Sequence, residues 1–135
     1  MSNLKHHIER NTQLIMSNLK HHIERNLTAE EMAHNLALRQ TVLAEAIQIR
    51  RALGQARTAE DFRVCHDRAD ALGYISEKTI SCNMDDFFLT DCMIYCRNAK
   101  LGHEDHRLAI KSIKHYMSAI RERIANPPTT VLVPK

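Results

Sequence analysis

At 135 residues the chain is long enough for one domain with a real core, a size at which roughly two-thirds of the unfolded surface is buried. A net charge of +3 and only six aromatic residues, none of them Trp, argue against a dedicated nucleic-acid binder, which usually carries a larger cationic excess and rings for base stacking. No apolar run approaches the ~18 residues that cross a bilayer, and the polar, histidine-rich start carries no export signal, so a cytoplasmic protein with reduced thiols is expected.

Residues 1–11 read MSNLKHHIERN, and residues 16–26 repeat them letter for letter. Identity that complete points to a recent in-frame duplication or an insertion, and it makes Met16 a second candidate start. Functional weight is therefore expected after residue 26. Leu4/Ile8 and Leu19/Ile23 have i,i+4 spacing, which predicts a polar helical arm over residues 1–26 with a narrow apolar stripe in each copy.

Thr28-Ala29-Glu30-Glu31 is a capping box, the start of a helix with Met32, Leu36, Leu43, Ile47 and Leu53 at helical spacing and a stop at Gly54. Thr58 with Asp61 opens a second helix carrying Phe62, Cys65, Ala69 and Leu72, expected to stop at Gly73. A third, from Ser76 or Asn83 to Lys100 with Gly102 beyond it, has the stripe Ile80, Met84, Phe88, Cys92 and Tyr95. The last, His103 to Asn126, repeats Ile110, Ile113, Met117, Ile120 and Ile124 at 3,4,3,4 spacing and ends at Pro127-Pro128. The tail holds Val131-Leu132-Val133, an extended apolar stretch that either docks back on the bundle or adds to a partner.

These elements predict an all-α protein, a compact helical bundle of four to five helices with a polar, duplicated N-terminal helical arm. The divisions are an arm at 1–26, a bundle at 27–126 and a tail at 127–135. The seam of Ile110, Ile113, Met117, Ile120 and Ile124 is either core or an interface joining two copies. At about two and a half heptads it reads first as core, since a coiled coil wants three or four.

Cys92 and Cys96, followed by His103 and His106, give C-x3-C-x6-H-x2-H, a set of thiolate and imidazole donors of the kind zinc takes. Cys65, His66 and Cys82 add donors. The spacing differs from the C-x2-C of most zinc knuckles, and Cys92 sits on an apolar stripe, so buried structural thiols are the first reading and no cofactor is expected. Asp85, Asp86 and Asp91 read first as partners of a helix dipole rather than a cation site.

No Gly-rich phosphate loop, G-x-S-x-G or H-E-x-x-H occurs, and Cys65-His66 are neighbours that point to different sides of a helix. A non-enzymatic protein is expected. Opposite the isoleucine seam, Arg107, Lys111, Lys114 and Arg121 form a basic stripe able to meet phosphates; Arg50, Arg51 and Arg57 form a second cluster. Residues 19–33 resemble the opening of a phage-repressor-type helix-turn-helix, but His34–Leu53 continues where that motif turns. The reading that results is a small adaptor, inhibitor or regulatory subunit with a protein partner. DNA binding through the stripe and a zinc- or redox-responsive regulator are the alternatives.

Overall fold

The computed structural model describes residues 21–80, 86–99 and 103–135. Four helices follow one another, α1 (Ala29–Gln55), α2 (Ala59–Ser76), α3 (Asp86–Asn98) and α4 (Glu104–Ala125), framed by two short strands, β1 (His22–Asn26) and β2 (Thr130–Pro134). Each helix packs on its neighbours in sequence, α4 closes the ring on α1, and the backbones of diagonal pairs stay apart. The result is an antiparallel four-helix bundle of the up-and-down kind. None of the described helices is long and apolar enough to cross a membrane.

Both predicted capping boxes form. Thr28 Oγ1 accepts from Glu31 N at 3.1 Å while Glu31 Oε1 accepts from Thr28 N at 2.9 Å, so two donors at the helix start are satisfied reciprocally. Thr58 and Asp61 repeat the device, at 3.1 Å and 3.0 Å. Only Ala56, Arg57 and Thr58 separate α1 from α2, and a loop that short forces antiparallel neighbours. Arg57 Nη1 closes the end of α1 by donating to Gly54 O and Ala56 O.

The core is built from heptad-like rows. In α2 the buried row is Phe62, Cys65, Ala69, Leu72 and Ser76, matching the sequence stripe through Leu72. In α4, Ile113, Met117 and Ile120 are buried beside Ala109 and Tyr116, while Ile110 and Ile124 pack at the core's edge. The seam therefore faces inward.

Other expectations need correction. In α1 the buried row is Asn35, Arg39, Val42, Ala46, Ile49 and Leu53, so Met32, Leu43 and Ile47 are only partly buried and Leu36 is exposed. Gly73 does not stop α2; the helix runs one turn on to Ser76 and ends in the tightening bonds Glu77 N to Gly73 O and Lys78 N to Ile75 O. Ser76 closes α2 rather than opening the next helix, and the described part of α3 runs from Asp86. Its buried row is Leu89, Cys92 and Cys96, one step from the predicted stripe, with Phe88 and Tyr95 partly buried. Cys82, Asn83, Met84, Asp85, Lys100 and Gly102 lie outside the described residues.

The arm brings the largest difference. His22–Asn26, the end of the second copy, is a strand rather than helix; residues 1–20 lie outside the described residues. It pairs antiparallel with β2, from His22 opposite Pro134 to Asn26 opposite Thr130. The apolar tail thus docks, but on the repeated segment instead of on the bundle. Among the described residues no helix backbone packs along the ribbon. Buried Leu27, whose N–H donates to Thr129 O at 2.8 Å, ties it to the bundle. Arg25 adds a two-pronged ion pair to Glu31, at 2.8 and 2.9 Å.

Candidate functional site

The thiols lie inside. Cys92 and Cys96, one turn apart on α3, are buried and hydrogen-bonded to each other, and Cys65 of α2 is buried within electrostatic reach of Cys96. Burial pushes the Cys65 thiol up to about 11, and the bond to Cys96 together with burial pushes Cys92 up as well. Raised thiols are poor nucleophiles at neutral pH.

The imidazoles do not join them. His103 is the exposed N-cap residue of α4, without a side-chain capping bond. His106 turns to α1, where Nε2 lies 2.7 Å from Leu53 O, so that nitrogen carries a hydrogen and donates; its ring stands edge-on to Phe62 with centroids 4.9 Å apart. Cys92, Cys96, His103 and His106 are thus adjacent in sequence but not gathered in space. Among the described residues no three His, Cys, Asp or Glu converge as a metal site. Asp86 accepts from Ser76 Oγ at 3.0 Å, a link between α2 and α3.

Several polar residues act as ties across the bundle. Asn35, fully buried, accepts from Ile80 N at 2.7 Å and donates to Ile80 O at 3.0 Å, so one amide satisfies both backbone groups of a residue beyond α2. His66 Nδ1 lies 3.0 Å from Asp67 Oδ1 and its Nε2 accepts from Arg97 Nε at 3.1 Å, which joins α2 to α3. Arg68 bonds Glu45 at 2.9 Å between α2 and α1.

The clefts are shallow grooves between helices. One of about 180 Å³ runs between α2 and α3 beside Tyr74 and Leu89, with Asp70, Glu77 and Asp86 on its rim. Another, of about 270 Å³, has Cys65 and Asp61 in its wall. Neither presents a nucleophile hydrogen-bonded to a base, the geometry covalent catalysis starts from.

The basic stripe is exposed along its whole length. Arg107, Lys111, Lys114 and Arg121 point away from the core over about 21 Å of α4. Arg107 pairs with Glu104; Lys111, Lys114 and Arg121 have no ion-pair partner among the described residues. The other basic cluster is dispersed, because Arg57 caps α1 and Arg50 is half-buried.

Beside the stripe stands an aromatic ledge not foreseen from sequence. Phe87, 55% exposed, leans on Phe88 with centroids 4.1 Å apart, and Phe88 stacks on His115 of α4 at 5.5 Å and 20°. His115 is one helical turn after Lys111, so rings and cations adjoin on one α3–α4 face. The adjacent Phe87-Phe88 pair was a signal, since with Phe88 on the apolar stripe the ring before it is carried about 100° around the helix.

No known protein family, characterised protein or solved structure matches the chain.

Proposed function

We propose that the protein is a non-enzymatic cytoplasmic binding module, working without a cofactor, whose α3–α4 face engages an acidic protein partner. The supporting observation is the Phe87–Phe88–His115 ledge, exposed at Phe87, beside the stripe of Lys111, Lys114 and Arg121, cations without an ion-pair partner among the described residues. Interfaces draw most of their energy from a few aromatic and cationic anchors, and an apolar ledge with a charged border supplies both. The isoleucine seam is occupied by the core, so it is not the surface offered to a partner.

A second reading rests on the same cations. A row of Lys and Arg about 21 Å long can follow a phosphate backbone, with binding that falls steeply as salt displaces counterions.

Capture of partners from lysate, with and without nuclease, separates the two. A stoichiometric acidic protein should survive nuclease and be lost with Phe87→Ala and with the pair Lys111→Glu, Lys114→Glu. Phe87 is exposed, so its loss leaves the fold intact. Retention of nucleic acid that nuclease removes would overturn the protein-partner reading in favour of the second.

A further inference from the structure

One constant shift along the sequence lays α2 on α4. Cys65, Ala69, Leu72 and Ser76 of α2 fall on Ala109, Ile113, Tyr116 and Ile120 of α4, and all of them are buried. Phe62 falls on His106, and those two rings meet across the core with centroids 4.9 Å apart. Corresponding residues therefore sit at the same height in the bundle and at the same angle from the core. Neighbouring helices are antiparallel, so the diagonal pair α2 and α4 run in one direction, and equal angles on them point to opposite sides of the molecule.

The outward residues in this frame carry opposite charge. Asp67, Asp70 and Glu77 of α2 correspond to Lys111, Lys114 and Arg121 of α4, and all six are exposed. Asp67 is shared with Arg63 of its own helix at 3.3 Å. Arg63 itself corresponds to Arg107, but Glu60 and Glu104 neutralise these two locally. Tyr74, 65% exposed, stands between Asp70 and Glu77 beside the groove that Leu89 and Met93 floor. Its counterpart is Ser118, exposed and small, with the stems of Lys114 and Arg121 one turn to either side.

We infer that the chain associates with itself head to tail, the acidic α2 face of one copy receiving the basic α4 stripe of the next. This rests on the reading of the stripe as the surface for an acidic partner, and it names that partner as a second copy of this chain. A copy moved sideways without rotation makes the contact. Its Lys111, Lys114 and Arg121 meet Asp67, Asp70 and Glu77, and the Tyr74 ring enters the gap over Ser118. Exposed ion pairs contribute little singly. Here they surround a ring that the Lys114 and Arg121 stems cover, and their cations face its π surface. The contact is heterologous, so each end keeps one unfilled face and the array grows open instead of closing as a dimer.

Sedimentation of the purified full chain over a range of concentrations tests this. The average mass should rise without a plateau at low salt and fall towards the monomer as salt shortens the Debye length to ~3 Å at 1 M. The double variant Asp70→Lys, Glu77→Lys and the double variant Lys114→Glu, Arg121→Glu should each weaken association by ~10-fold or more, because like charges then face each other. All four positions are exposed, so the helices should stay folded. An equimolar mixture of the two variants sets opposite charges together again and should associate, which a folding defect would not allow. A parent chain that stays monomeric overturns the inference, whether or not α4 captures a different acidic protein. A mass that levels off at a dimer overturns it too, as does a mixture that fails to associate. Capture of a different protein on α4 should survive Asp70→Lys, Glu77→Lys, since that variant leaves the stripe untouched.

Discussion

The bundle and the ribbon hold the same chain by opposite means. In the bundle, rows of side chains at 3,4 spacing are buried on four helices, and neighbouring helices follow one another with short loops. In the ribbon, segments more than a hundred residues apart are joined by backbone bonds with side chains half in water. Burial of apolar area dominates folding free energy, whereas the net contribution of a backbone bond is ~1 kcal/mol. The bundle should therefore govern global unfolding, and the ribbon should open by itself.

The bundle's side of that contrast breaks most severely at Met117. Met117→Asp places a carboxylate among buried residues of α4, at several kcal/mol against a total stability of ~5–15 kcal/mol. Loss of the helical circular dichroism signal is expected; a folded chain of reduced oligomeric state would instead make the seam an interface. Asn35→Ala comes next. It leaves the N–H and C=O of Ile80 without their partner and should cost about 1–3 kcal/mol by urea denaturation. Leu36→Ala, exposed one residue away, should fall within about 0.5 kcal/mol of the parent.

The smallest effect belongs to the junction of ribbon and bundle. The Arg25 guanidinium and the Thr28 N–H hold the Glu31 carboxyl at about 2, below its ordinary 4.5. The unfolded chain therefore binds more protons between these values, and stability falls as pH is lowered through that window. Glu31→Gln should flatten part of this acid slope in a pH series of urea midpoints. An unchanged slope would show that the pair does not hold the carboxyl down.

Helix starts were legible in sequence because a capping box is a local device, complete within four residues. Thr28/Glu31 and Thr58/Asp61 formed as read. So did the row of α2 through Leu72 and the middle of the α4 row, Ile113, Met117 and Ile120, where apolar residues fill buried positions. In α1 the buried row opens with Asn35 and Arg39, polar residues that an apolar pattern skips, so the stripe was read on a neighbouring face. Gly73 stayed helical because the turn after it continued to make bonds. The strand at His22–Asn26 was hidden for another reason. HIERN has no alternation that demands a sheet, and its state is set by Val131–Val133, far along the chain. The thiol–imidazole set shows the converse error: closeness in sequence across a turn put His103 and His106 on α4 facing elsewhere. The cations of α4 were found from their spacing, but the rings beside them depend on how α3 meets α4.

The ribbon also decides how the molecule responds to tension. His22 and Pro134 are opposite each other at its far end, and the chain leaves from both at the same side. A load drawn between His21 and Lys135 first breaks the bond that joins them, then peels the strands apart one pair at a time from His22/Pro134 towards Leu27/Thr129. Each pair bears the whole force in turn, as in a zipper, whereas strands pulled along their length share it. The ribbon is therefore a mechanical fuse, yielding at low force before the helices are strained.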